Sequence, residues 1–414
     1  MTDQNAVDVK DAGPGQEEII AFLKKLFPRD AWPQIWLVGG IVRDFLLGKA
    51  CRDIDLATTM PAATLKLLGF RLVEGKSTLP IHFMADPEFG IIEVVTIDAA
   101  GGLVEDLLRR DFTCNALALS LNGKLFDPLG SQEDMKNRLL RACSRESFID
   151  DPLRIFRAFR FQTEGWRLVP ETEALIRAKS WENELSGIPV ERFSREMLKA
   201  LKGNCPAEFF REMISFDVGR SYLPELFRMP DIPAGPIDKH PEGDLFTHAC
   251  QVLQRVAAVT TDPLTRFCAF FHDLGKLSTA PELYPRHHGH EDAGFDLARE
   301  FCNRLSLSVA YRNALCWICR LHGNGGGWQE LRDATKIRMA DQARRAGIID
   351  ILPLVVAGDK PDGGNMPRWE EAVRVAGMSA LQLGIERSRL EAMPVEKRAD
   401  YVLQKRIACF RHAG

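Results

Sequence analysis

The run "LVGGIVRDFLLGKACRDIDLA", Leu37 to Ala57, brings two kinds of chemistry close together in the chain. Paired glycines, Gly39 and Gly40, follow an apolar stretch, and two aspartates, Asp53 and Asp55, begin thirteen residues after Gly40. "IWLVGG" reads as a strand ending in glycines, and "IVRDFLLG" as a helix starting there. Such a turn lets backbone approach a ligand closely, and free helix N–H groups can meet an anion. Arg43, one turn in, can add a charge-assisted contact to phosphate. "RDIDLAT" alternates like a strand, so Asp53 and Asp55 share one face. Two carboxylates facing one point repel unless a cation sits between them, and hard oxygen ligands suit Mg²⁺ held partly by substrate phosphates. The constellation reads as a nucleotide triphosphate on the glycine turn, with one or two Mg²⁺ ions on Asp53 and Asp55.

These residues need elements to hold them. At 414 residues the chain exceeds what one core usually holds, so two or more domains are expected. Hydrophobic content of 45% and charged content of 27% describe an ordinary globular protein. No run approaches eighteen consecutive apolar residues, and the N-terminus is polar and acidic, so neither a membrane span nor a secretory signal is expected. Ten scattered cysteines suggest reduced thiols in a cytoplasm. "CWIC", Cys316–Cys319, has the spacing of half a zinc site but no second pair, and is expected to be two buried thiols. A net charge of −3 gives no global attraction to nucleic acid, so any polyanion site must be a local patch.

The chain divides by texture. Residues 1–17 read as a loose tail. From 18 to 140, β-type runs ("IWLVGG", "IIEVVTID", "ALALSL") mix with helical stretches, which predicts an α+β domain. Residues 141–229 are mostly helical in periodicity, 230–239 have the Pro/Gly composition of a linker, 240–360 hold most of the histidines, and 361–414 form a helical tail. From Met135 to Arg167 eight basic residues face four acidic ones, a local surplus in an acidic protein. Arg154, Arg157 and Arg160 recur every three residues and are expected on one helical face.

The segments "LVGGIVRDFLLG…RDIDLAT", "EDLLRRDFTCNALAL", "FDPLGSQEDMKNRLLR", "DDPLRIFRAFRF" and "VERFSREMLKAL" resemble, in order and spacing, the class II nucleotidyltransferases. These are the bacterial tRNA CCA-adding enzymes and their poly(A) polymerase relatives. The resemblance implies an α+β fold: a nucleotidyltransferase head with a mixed β-sheet, then an all-α neck, body and HD-type helical tail. It implies Asp53 and Asp55 as catalytic Mg²⁺ ligands. It implies Gly39, Gly40, Arg43, Arg110, Asp111, Asp151, Arg154, Arg157 and Arg160 as the nucleotide-binding set, with Asp151 and Arg154 reading the incoming base. A carboxylate accepts from the amino group shared by cytosine and adenine, and a guanidinium donates to a ring acceptor. The implied substrates are CTP, ATP and the tRNA 3′ end, with no membrane and no obligate protein partner. Two alternatives stand beside this reading: a poly(A) polymerase, or a hydrolase whose head serves as an RNA-binding module.

A second resemblance, to HD-type metal-dependent phosphohydrolases, rests on "FTHA", "FFHDLGK" and "RHHGH". It implies a divalent transition metal held by His248, His272 and Asp273, with Asp359 as a fourth ligand. Where related HD domains often carry a second His-Asp pair, this chain reads "LHGNGGG", with Gly323 after His322, which counts against hydrolase activity. The connection "DAAGGLV" between "IIEVVTI" and "EDLLRRDFT" is short, and resembles the loop deletion of members that add only CC.

Overall fold

The computed structural model describes residues 14–51, 53–73, 80–99, 101–360 and 364–412. Most of the expected N-terminal tail, residues 1–13, lies outside the described residues. The protein is α+β, and its contacts divide it into two units: residues 1–158 with 166–179, and residues 159–165 with 180–414. The Pro/Gly stretch expected as a linker lies within the second unit, where Ala234 is buried and its carbonyl accepts from Lys276 Nζ at 2.6 Å.

The first unit is built on one mixed sheet. Its strands are β1 (Ile35–Val38), β2 (Ile54–Thr58), β3 (Arg71–Val73), β4 (Ile81–Asp86), β5 (Gly90–Thr96), β6 (Ala118–Ser120) and β7 (Leu125–Phe126). They lie in the order β3-β4-β5-β2-β1-β6-β7, with β2 and β5 parallel and the other pairs antiparallel. Apolar residues of β1, β2 and β6 close over the helix Gly102–Leu108, so that Val38, Ala57, Ala118 and Leu107 share one buried cluster. Burial of this kind contributes about 25 cal/mol per Å² of apolar surface, and it anchors the strands that carry Gly39 and Asp55.

The second unit is dominated by helices. Leu245–Ala257 starts at Asp244, whose side chain accepts from Thr247 N at 2.8 Å. Pro263–Phe271 starts the same way at Asp262, with proline at the position where a missing N–H costs nothing. Phe210 and Phe270 stack at 3.9 Å in the core behind these helices. Cys316 and Cys319 are buried free thiols on the helix Val309–Gly326. Among the described residues, no helix is long and apolar enough to cross a membrane.

Candidate functional site

β1 delivers the chain to Gly39, whose φ of 79° is a conformation glycine adopts without strain. Space is lacking too: a Cβ there would stand 2.5 Å from Arg110 Nη1 and 3.6 Å from Asp55 Oδ2. The turn thus sets bare backbone beside one cation and one carboxylate.

Asp55 sits on β2, and the parallel register places it opposite Glu93 on β5. Burial raises the Asp55 carboxyl to about 6; Glu93 and Asp53 push it the same way, against Arg110 and Arg157. Asp55 is desolvated beside the exposed carboxylates Asp53 and Glu93, and a divalent cation among them would relieve the repulsion. Glu93 is a member that sequence reasoning missed. Its signal is a lone charge inside the apolar strand "IIEVVTI".

Arg110 is aimed by Asp106, also missed. Asp106 is buried four residues earlier and accepts from Arg110 Nη2 at 2.8 Å, while its other oxygen takes Arg109. Asp111 is buried as well. Arg157 reaches its Oδ2 through Nε and Nη2 at 2.8 and 2.7 Å, and Asn115 and the Phe112 N–H donate to Oδ1. Burial alone would raise this carboxyl, but these donors hold it well below the usual carboxylate range. Asn115 in turn accepts from Arg43 Nη1 at 2.6 Å, so Arg43, Asp111 and Arg157 belong to one bonded chain.

Arg154 directs its guanidinium at the Arg109 carbonyl, 2.7 Å away, and at Ser147. Asp151 accepts from the Leu153 and Arg154 backbone N–H groups at the start of the helix Arg154–Gln162. Arg160 departs from expectation. Its Nε lies 2.7 Å from Glu196 and its Nη1 3.6 Å from Glu164, so it is neutralised away from the others. The reason is helical phase: each three-residue step turns roughly 60° short of a full turn, so six residues carry Arg160 about 120° around from Arg154. A single arginine face is therefore corrected to Arg154 and Arg157 on one side and Arg160 on another.

The histidine-rich centre lies in the second unit. His248 Nε2 and His272 Nε2 approach Asp359 Oδ1 at 3.1 and 3.3 Å, and Asp273 Oδ2 at 3.5 and 3.2 Å. The four residues expected from sequence are thus brought together. His272 illustrates the electrostatics: burial would lower its pKa, but Asp273 and Asp359 raise it to about 10. Such a set of imidazoles and carboxylates is chemically suited to a divalent transition metal. Of the "RHHGH" histidines only His290 faces the centre; His287 is tied to Thr279 and Pro233, and His288 is exposed. His322 faces it as well, with Nε2 at 3.2 Å from Asp273 Oδ1, although Gly323 replaces the acid expected beside it.

Models of three protein families match the chain: the Poly A polymerase head domain over residues 35–100 and 91–141, the probable RNA and SrmB-binding site of polymerase A over 165–229, and the HD domain over 245–352. The multifunctional CCA protein of Tolumonas auensis is 35% identical over 326 residues, covering 75% of this chain and 79% of that protein. The namesake from Methylococcus capsulatus is 35% identical over 324 residues, covering 74% and 76%. Among solved structures, the Thermotoga maritima CCA-adding enzyme complexed with tRNA superposes with a TM-score of 0.62 at 22% identity, over 95% of this chain and 90% of that one. The Bacillus stearothermophilus CCA-adding enzyme in complex with CTP gives 0.58 at 24% identity, over 91% and 87%. At these identities the structural likeness concerns the fold.

Proposed function

Because the chain belongs to the multifunctional CCA protein family, we propose that it is a template-independent tRNA nucleotidyltransferase, adding C and A to tRNA 3′ ends from CTP and ATP. The observation that carries this reading is the raised, crowded Asp55 beside Gly39 and Arg110. Asp53 and Asp55 hold Mg²⁺, with Glu93 adjoining. Bound there, Mg²⁺ supplies charge stabilisation to the attacking 3′-oxygen and the departing pyrophosphate. Gly39 and Gly40 let the triphosphate approach the backbone, and Arg110, held by Asp106, meets its charge. Asp111 with Arg157 and Arg43 braces the floor of the site. Asp151 and Arg154 read the base: Asp151 accepts from the exocyclic amino group, and Arg154 exchanges its carbonyl contacts for a ring acceptor. Guanine and uracil leave buried groups unpaired, at a cost on the order of 1–3 kcal/mol each. In the helical unit, His248, His272, Asp273 and Asp359 hold a divalent transition metal. Its substrates, CTP, ATP and tRNA, support a cytoplasmic location.

One observation favours a shorter product. β5 ends at Thr96 and the next helix begins at Gly102, so the connection is brief; Ala100 within it lies outside the described residues. A connection of this length offers no long mobile segment to re-aim the base-reading residues between C and A. End-labelled tRNA lacking its CCA, offered CTP and ATP together, tests both readings. Extension by C supports the transferase, and a stop at CC supports the shorter product. Efficient extension to CCA overturns the CC-only reading, and no extension overturns the transferase.

A further inference from the structure

We propose that the first unit carries a binding site for a small organic anion, a carboxylate on an apolar body, in the cavity between the helix Ala62–Leu67 and the β3 edge of the sheet. The cavity measures about 680 Å³, within the span of about 300–1,000 Å³ usual for small-molecule sites. Strand register explains its apolar wall. Leu72 on β3 pairs with His82 on β4, His82 with Val94 on β5, and Val94 with Leu56 on β2. Neighbours in register share a face, so the four form one row on one side of the sheet. Val94 and Leu56 are 0% and 1% exposed and His82 is 3% exposed, yet Leu72 is 57% exposed. The face that is core in the middle of the sheet thus continues uncovered into the cavity, where Ala63 and Phe70 add further apolar surface.

The polar groups of the cavity say what would cover it. Lys66 and Arg71 line it, and among the described residues neither has an ion-pair partner. His82 lines it too, and its Nδ1 is buried without a hydrogen bond. Buried polar atoms seldom go unsatisfied. Two unpaired cations beside apolar walls select a negative group carried on an apolar body. The body covers Leu72 and Phe70, the carboxylate takes charge-assisted hydrogen bonds from the cations, and a ligand oxygen reaching His82 satisfies Nδ1. A nucleoside triphosphate fits poorly, because its hydrated phosphates would be set against Leu72 and Ala63 with no replacement for the water they lose.

The cavity is also apart from the carboxylates of the nucleotide site. Asp55 and Glu93 pair with each other, and each lies one position from the Leu56–Val94 pair. Successive strand residues point to opposite faces, so Asp55 and Glu93 lie across the sheet from Leu72 and His82. An anion in the cavity and a nucleotide at Asp55 therefore bind without competing.

The test titrates the full chain with naphthaleneacetate, and separately with its uncharged amide, by isothermal titration calorimetry. The expected result is one equivalent of the carboxylate with a Kd of about 1 mM or tighter, unchanged by saturating CTP and Mg²⁺. The amide should bind about tenfold more weakly or worse, since it lacks the charge. Lys66→Glu and Leu72→Asp, both at exposed positions and each checked for an unchanged fold, should weaken the carboxylate by about tenfold or more. Absence of saturable binding overturns the site. An amide that binds as tightly as the carboxylate overturns the anion assignment. Displacement by CTP, or full binding in both variants, puts the ligand elsewhere and overturns the proposal.

Discussion

Asp55 on β2 stands opposite Glu93 on β5 in a parallel register, and burial together with this neighbouring charge lifts Asp55 to about 6. The sign has two consequences. A carboxyl raised on folding favours the folded state while protonated, and that contribution is lost as pH rises through about 6. At pH 7 without Mg²⁺, Asp55→Asn should therefore raise the melting temperature by roughly 2–6 °C, and Mg²⁺ should narrow the gap. Nucleotide addition at limiting Mg²⁺ should fall as pH drops below about 6, and more Mg²⁺ should move that limb to lower pH. Calorimetry and a pH–rate profile at two Mg²⁺ concentrations check this. A limb unmoved by Mg²⁺ would separate Asp55 from the cation.

The Asp111–Arg157 pair makes a stability prediction. Removing the guanidinium strands a buried carboxylate, so Arg157→Ala should cost about 3 kcal/mol in denaturant unfolding. Arg157→Lys should recover part of this, keeping the charge while losing the two-point contact. Asp111 is held below the usual range, so the stabilisation is present above about pH 4 and fades as acid protonates it. A loss under ~1 kcal/mol in Arg157→Ala would contradict this account of the pair.

How much of this was legible in sequence follows from how far apart the partners lie. Gly39, Gly40, Asp53 and Asp55 declare themselves because a turn and a two-residue alternation are local patterns. Glu93 does not, because it meets Asp55 only through parallel pairing of two strands separated in the chain by β3 and β4. Arg160 was misplaced because a three-residue spacing looks like a stripe over one step and drifts over two. His290 and His322 were visible as histidines. Their meeting at Asp273 depends on glycine contacts between segments, which no spacing within one element encodes. The Pro/Gly stretch read as a linker lies inside the second unit, where the Ala234 carbonyl accepts from Lys276, a contact between segments that composition does not encode.

Base choice should follow Arg154. Arg154→Ala should lower the preference for CTP and ATP over UTP and GTP by on the order of 10- to 100-fold, as one or two discriminating hydrogen bonds are lost. Competition assays with all four nucleotides measure this. Equal loss on every nucleotide with the preference intact would show Arg154 to be a support of the Arg109 and Arg110 backbone instead.

The central claim is that the carboxylates of β2 carry nucleotide addition to tRNA. It is tested most directly by single-nucleotide extension of end-labelled tRNA lacking its 3′ CCA, with CTP, ATP and Mg²⁺. The wild-type chain should extend the tRNA, and Asp53→Ala and Asp55→Ala, each checked for an intact fold, should do so roughly a thousandfold more slowly or worse. Near-wild-type extension by either folded variant would contradict the account.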